Sequence, residues 1–149
     1  MSRNKSFNPD HKALEKEIIE VFRSCYTDFP RARIKPHESP DFKLIINRHK
    51  TIGLEVVRYV LDSQNYTKTD TYLIDSDILN GLIQKKEKKS TGYQRMRYTA
   101  LWLLIVSGSN LSEPLLFHPE TFDWTQFSSS VFDKVFYLDM RRKQLFQLQ

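Results

Sequence analysis

Apolar residues recur every three or four positions over residues 14–25, a spacing typical of a helix with one buried face. Asn8 and Pro9 match the preferred N-cap and first position of a helix. The pattern therefore predicts a first helix that begins at Asn8 and ends near residues 29–30. Its predicted apolar face comprises Leu14, Ile18, Val21, Phe22 and Cys25.

Two short segments, residues 41–46 and 52–57, are rich in β-branched and large apolar side chains and flank a polar stretch at 47–51. This arrangement predicts a β-hairpin. The preceding residues 31–40 contain two prolines, which disfavour both a continuous helix and a central strand. We therefore expect an irregular connector there.

The polar residues 62–76 predict an irregular loop that is mobile or faces a substrate. Helical spacing returns over residues 76–89, for which Ser76 or Asp77 is the predicted cap. Residues 99–108 are almost continuously apolar, which predicts a strand covered on both faces.

The last third of the chain shows a weaker pattern. Residues 122–134 are ambiguous and are interpreted as a helix, whereas residues 135–139 and 144–148 flank a basic turn and predict a closing pair of strands. The predicted order is helix, two strands, helix, strand, helix and two strands. This order favours an α/β fold with a mixed central sheet flanked by helices.

The composition is typical of a folded domain. The 149 residues, 40% apolar and 28% charged, predict a single domain over residues 1–149. No apolar run approaches the roughly 20 residues that cross a bilayer, and no secretory signal opens the chain, so we expect a cytoplasmic protein without a membrane partner. Cys25 is the only cysteine and the four histidines lack zinc-site spacing, so a metal would need oxygen or imidazole ligands.

The net charge of +5 is concentrated in one segment, residues 85–97, which carries six basic residues against one acidic residue. Tyr93 and Tyr98 lie within or beside this segment and offer rings for stacking on bases. The segment suits a phosphate backbone, although a solvated helix end has the same composition. The basic residues are Lys85, Lys86, Lys88, Lys89, Arg95 and Arg97, and nucleic acid is the partner that they predict.

Two acidic residues interrupt the apolar hairpin. With the turn centred near His49, Asp41 lies opposite Val57 and Glu55 lies opposite Lys43, so the two acids are diagonal neighbours on one face. Two carboxylates at that spacing predict a site for Mg²⁺ or Mn²⁺. The alternative is that Glu55 pairs with Lys43 and that Asp41 is an ordinary turn residue.

The sequence at this point resembles the PD-(D/E)XK nuclease superfamily, which has the restriction-endonuclease-like fold. Pro40 and Asp41 match the first two residues of the motif, and Glu55 matches its second acid. The resemblance covers most of residues 10–108 and implies an αβββαβ core, whose first strand would have to come from residues 31–36. It also implies metal-dependent hydrolysis of phosphodiester bonds.

Many members of the superfamily have a further acid on the first helix, and Glu15 or, less favourably, Glu17 matches that position here. In this role the residue would complete the metal shell or act through a water molecule.

The chain departs from the motif at Val57, where the superfamily has its lysine. Helical geometry places Lys86 near the centre of the apolar face of the second helix and Lys89 close by, whereas Lys88 points away. We therefore expect Lys86, with Lys89 in reserve, to supply the missing charge beside Asp41 and Glu55. The alternative is that Lys86 extends from the helix end into solvent.

The resulting hypothesis is a nuclease in which Asp41 and Glu55 hold the metal and Lys86 assists catalysis. Lys85, Lys88, Arg95 and Arg97 are the predicted contacts to nucleic acid. The alternative is a non-catalytic interaction module of the same fold, favoured if Lys43 pairs with Glu55 and Lys86 faces solvent. The sequence leaves open the choice between DNA and RNA and the oligomeric state, including a homodimer.

Overall fold

The computed structural model describes residues 9–60, 72–90, 98–108, 115–116, 122 and 127–149. Its helices are α1 (Pro9–Cys25) and α2 (Ser76–Ser90). Its strands are β1 (Arg33–Pro36), β2 (Phe42–Asn47), β3 (Lys50–Arg58), β4 (Tyr72–Leu73), β5 (Ala100–Ser107), β6 (Leu115–Leu116), β7 (Lys134–Asp139) and β8 (Gln144–Gln147). Neither described helix combines the length and apolar character needed to cross a membrane.

Six strands form one mixed sheet in the order β1-β2-β3-β5-β7-β8. The first three strands are antiparallel to one another, β3, β5 and β7 are parallel, and β8 returns antiparallel to β7. A second, two-stranded sheet pairs β4 with β6 in parallel. The expectation of an α/β fold with a mixed sheet and helices is confirmed at this level.

Side-chain alternation in the strands divides the core between the two faces of the large sheet. On one face, Leu54, Trp102 and Phe136 pack against α1. On the other face, Leu103 and Tyr137 lie in the cluster that α2 covers. Because β5 is paired with a parallel strand on each side and covered on both faces, nearly all its residues are apolar and buried, as the sequence pattern predicted.

Helix α1 ends earlier than predicted, at Cys25. Tyr26 makes the last helical bond, from its N–H to the Phe22 carbonyl at 2.9 Å, and its ring stacks on Phe22 at 5.7 Å and meets the edge of Trp102 at 5.9 Å. The Phe29 N–H then closes a turn on the Tyr26 carbonyl at 3.1 Å. The predicted apolar face was also incomplete, because Ile19 is buried as well.

Helix α2 matches the prediction in length, but its cap is Asp75 instead of Ser76 or Asp77. The Asp75 Oδ1 atom accepts hydrogen bonds from the N–H groups of Asp77 at 2.7 Å and Ile78 at 3.4 Å. The Asp75 N–H donates in turn to the Tyr59 hydroxyl at 3.2 Å. This bond joins the start of α2 to the end of β3.

The prediction of an irregular connector over residues 31–40 was wrong for β1, which pairs with β2 along its whole length. Because β1 is an edge strand, Pro36 at its end is compatible with the sheet. The predicted loop 62–76 contains β4 in its described part, and residues 61–71 lie outside that part.

The predicted helix over residues 122–134 is absent from the part of this segment that the structure describes, where residues 127–133 are irregular. The Ser129 hydroxyl accepts hydrogen bonds from the N–H groups of Val131 at 3.2 Å and Phe132 at 3.0 Å. Such local bonds compete with helix formation. The segment instead buries Phe127, Val131 and Phe132 against the sheet.

The remaining predicted strands are confirmed. The hairpin forms from β2 and β3, and β7 and β8 form the closing antiparallel pair. Lys143, in the turn between β7 and β8, adopts a positive φ of 51°.

Candidate active site

The register of the β2–β3 hairpin determines where the two acids lie. Phe42 pairs with Leu54 and Lys43 pairs with Gly53, so one further step along the ladder places Asp41 directly opposite Glu55. The diagonal arrangement predicted from a turn centred at His49 was therefore wrong. The prediction failed because the β2–β3 pairing continues as far as Asn47, which pairs with Lys50 across a tight turn. The register of the pairing also shifts between residues 45 and 47. The shift is two residues, so the acids keep a common face.

Asp41 is held in place by three hydrogen bonds, in each of which a backbone N–H group is the donor. Its Oδ2 atom accepts from the Val56 N–H at 2.8 Å, and its carbonyl accepts from the His37 N–H at 2.8 Å. Its own N–H donates to the Glu55 carboxylate. Asp41 lies directly before β2 and Glu55 lies within β3, so these bonds tie the two acids to the hairpin and to each other.

Close packing around Gly53 supports this arrangement. A Cβ atom at Gly53 would lie 2.7 Å from the Leu101 Cδ2 atom, 2.9 Å from the Pro40 Cγ atom and 3.2 Å from the Tyr98 Cδ1 atom. Only glycine leaves room for Pro40, the residue before Asp41, to pack on β3. The role of Gly53 was not predicted from the sequence, although a glycine inside an apolar strand is a known sign that another backbone or side chain approaches closely.

Glu55 is a buried acid, with 5% of its surface exposed. Lys86 of α2 compensates it, because the Lys86 Nζ atom lies 3.2 Å from the Glu55 Oε2 atom. Leu79 and Ile83 are buried on the same face of α2 and direct Lys86 inward. Lys43, the alternative partner for Glu55, lies opposite Gly53.

The pKa of Glu55 is raised above the ordinary value for a glutamate. Burial is the largest cause, since it penalises the charged carboxylate, and the nearby Asp41 raises the pKa further. The Lys86 ammonium acts in the opposite direction, through its charge and its hydrogen bond. A divalent cation between Asp41 and Glu55 would relieve the repulsion between the two carboxylates.

The donor atoms suit a hard cation with few protein ligands. Carboxylate oxygens are preferred by Mg²⁺ and Mn²⁺, and Mg²⁺ commonly takes one or two carboxylates together with waters and substrate phosphates. In the part of the chain that the structure describes, no group of three or more His, Cys, Asp or Glu side chains is placed to hold a metal ion. Asp41 and Glu55 would thus be the side-chain ligands from this part.

The predicted third acid, Glu15, lies on α1 and forms an ion pair with His11 at 2.9 Å. It lines the same groove as Asp41, a depression of about 780 Å³ between α1 and the β1–β2 end of the sheet. The structure does not bring Glu15 into a three-acid cluster with Asp41 and Glu55. Glu17 is exposed and does not line this groove.

The other predicted basic residues differ in placement. Lys85, Lys88 and Lys89 are exposed on α2, and the Lys89 side chain therefore does not share the inward position of Lys86. The predicted contacts Arg95 and Arg97, together with Tyr93, lie outside the described residues. Val57 is half-buried and packs on the α2 side of the core, as expected of an apolar residue at that position.

Comparison of the chain with family models, curated proteins and solved structures gave no match. The arrangement of Asp41, Glu55 and Lys86 is therefore the basis on which a function can be assigned.

Proposed function

We propose that this protein is a metal-dependent nuclease that hydrolyses phosphodiester bonds in nucleic acid. The observation that carries the proposal is the placement of Lys86 3.2 Å from Glu55, where Asp41 is the opposite residue in the hairpin. Two neighbouring acids with a lysine beside one of them are typical of sites that bind a hard cation and stabilise charge on a phosphate.

The order of elements supports a restriction-endonuclease-like fold as the finer description. The sequence α1, β1, β2, β3, α2, β5 corresponds to the αβββαβ core that the resemblance implies, apart from the two-residue β4. The strand that the sequence pattern had left uncertain is present as β1. We propose that the later strands are additions to this core.

In the proposed reaction Asp41 and Glu55 hold Mg²⁺ or Mn²⁺. Such a cation supplies a water molecule of lowered pKa and stabilises negative charge on the phosphate. Glu55 is held within β3, and Asp41 is held against β3 by the hydrogen bond from the Val56 N–H, so both carboxylates are placed before a cation binds. Lys86 of α2 supplies the positive charge that Val57 cannot. Its ammonium group lies beside the Glu55 carboxylate and is proposed to stabilise negative charge on the reacting phosphate.

Lys85, Lys88 and Lys89 project from the same helix as Lys86 and are proposed to contact phosphates of the bound strand. The same role is proposed for Arg95 and Arg97. These contacts would raise affinity for nucleic acid of any sequence and would weaken as salt concentration rises.

The test is a cleavage assay with supercoiled DNA, single-stranded DNA and RNA, in the presence of Mg²⁺ or Mn²⁺. Asp41→Asn keeps an oxygen that can accept from the Val56 N–H, so the fold should be preserved while a metal ligand is lost. Loss of groups that merely orient metal ligands costs about 10–100-fold, so loss of a ligand should lower the rate by at least about 100-fold. Asp28→Asn is the matched control, because it makes the same substitution at an exposed position after the C-terminal end of α1.

The proposal is wrong if the purified protein cleaves none of the three substrates, or if Asp41→Asn cleaves as fast as Asp28→Asn. The first result would favour a non-catalytic interaction module of the same fold.

A further inference from the structure

We propose that Lys86 is a built-in counter-ion that holds the carboxylate pair in the metal-free protein and that an incoming divalent cation must displace it from Glu55. The inference rests on the proposed function, since it concerns the same carboxylates. It adds a regulatory step, because metal binding and the release of Lys86 become one coupled event.

The position of Lys86 opposes a bound cation both sterically and electrostatically. Its Nζ atom lies 3.2 Å from the Glu55 Oε2 atom, so it already contacts one of the two carboxylate oxygens that a cation could use. Two cations cannot share one carboxylate oxygen at short range without strong repulsion in a buried site. The side chain of Glu55 is only 7% exposed, so water screens this repulsion poorly.

Of the two partners in this ion pair, Lys86 is the one that can move. Glu55 lies in β3 between β2 and β5, and its carboxylate also accepts a hydrogen bond from the Asp41 N–H. Lys86 has a flexible stem of four carbons and lies in the last turns of α2, where its side chain is 22% exposed. Lysine stems readily redirect their ammonium groups toward water. Cation binding should therefore displace Lys86 and leave Glu55 in place.

The displaced Lys86 ammonium has a new partner in the substrate phosphate. Once a cation neutralises the carboxylates, the Lys86 charge is free to pair with a substrate phosphate. The exposed Lys85 and Lys89 flank Lys86 along α2 and mark this side of the site as the direction from which a phosphate would be attracted. Lys86 thus weakens metal binding in the absence of substrate. When substrate is present, its phosphate pairs with the displaced Lys86 ammonium, and metal binding is favoured.

The experiment is a calorimetric titration of Mn²⁺ into the wild-type protein, Lys86→Met and Lys50→Met. Lys50→Met is the matched control, because it removes the same charge from an exposed position at the start of β3, the strand that carries Glu55. A positive charge beside a carboxylate commonly changes the affinity of that carboxylate for a proton tenfold or more. We therefore expect Lys86→Met to bind Mn²⁺ at least about tenfold more tightly than the wild type, and Lys50→Met to bind it like the wild type.

Thermal unfolding supplies a second readout. In EDTA, Lys86→Met should unfold at a lower temperature than the wild type, because Glu55 loses its partner. Saturating Mn²⁺ should raise the unfolding temperature of Lys86→Met more than that of the wild type. If Lys86→Met does not fold, Lys86→Gln repeats both measurements with a neutral side chain that still donates a hydrogen bond.

The inference is overturned if the neutral variants bind Mn²⁺ no more tightly than the wild type, or if none of the proteins binds it. These outcomes are separable from failure of the proposed function. Tighter binding by Lys86→Met without cleavage by any protein would retain the counter-ion and reject the nuclease. Metal-dependent cleavage by the wild type without tighter binding by Lys86→Met would do the reverse.

Discussion

Gly53→Ala tests the packing that positions the candidate site. The added methyl group would lie 2.7 Å from the Leu101 Cδ2 atom and 2.9 Å from the Pro40 Cγ atom, distances that atoms in proteins do not sustain. Leu101 is fully buried, and the Pro40 ring is rigid and buried as well. The methyl group can therefore be accommodated only by shifting Pro40, the side chain of Leu101 or β3 itself.

The expected cost follows from two opposing effects. Overpacking a well-filled core costs about 1–3 kcal/mol. Replacing glycine by alanine in a strand returns about 0.5–1 kcal/mol, because the unfolded chain loses freedom. We expect a net loss of about 1–2 kcal/mol in the free energy of unfolding. For a chain of this size that corresponds to a fall of about 3–6 °C in Tm.

Gly81→Ala is the matched control, because Gly81 lies within α2 and a Cβ atom there would meet no atom within 4 Å. It should raise stability by up to about 1 kcal/mol. Urea denaturation of both variants, followed by circular dichroism, gives the two values. A Gly53→Ala protein as stable as the wild type would refute the packing argument. Because Pro40 precedes Asp41, the same variant should also bind Mn²⁺ more weakly than Gly81→Ala.

Three further predictions concern the site and its supports. Lys86→Met should lower the free energy of unfolding, measured by urea denaturation, by about 2–3 kcal/mol, somewhat less than breaking a fully buried pair costs. Adding Glu55→Gln to this variant should recover most of the loss. If the costs of the two substitutions simply add, the two side chains are not coupled. Because the pKa of Glu55 is raised in the folded protein, the folded state binds this proton more tightly than the unfolded state. The stability of the wild type relative to Glu55→Gln should therefore fall as pH rises from about 4.3, and a difference independent of pH would contradict this assignment. Tyr59→Phe removes the acceptor for the Asp75 N–H and should cost about 1 kcal/mol; hydrogen exchange at the Asp75 amide should then become faster, and unchanged exchange would argue against the bond.

The approach of Lys86 to Glu55 was foreseeable from the sequence because a helix has a fixed period. That period placed Lys86 on the same stripe as Leu79 and Ile83, and a lysine there needs an acidic partner. The common face of Asp41 and Glu55 was also foreseeable, even though the predicted register was wrong. Strand side chains alternate with a period of two, so an error of two residues preserves the face.

Other features depend on contacts that no local pattern encodes. Strand β1 has few apolar side chains and forms because β2 offers an edge for pairing. Residues 127–133 avoid a helix because the Ser129 hydroxyl and the Gln149 side chain bind their backbone, and Gln149 is 20 positions away from Ser129 in the chain. The contact between Pro40 and Gly53 likewise requires the hairpin to be folded.

The central claim, that Asp41 and Glu55 form a cation site, is tested most directly by calorimetric titration of Mn²⁺ into the wild type, Asp41→Asn and Asp28→Asn. We predict one binding event in the wild type and in Asp28→Asn, and its loss in Asp41→Asn. Equal binding of Mn²⁺ by all three proteins would contradict the claim.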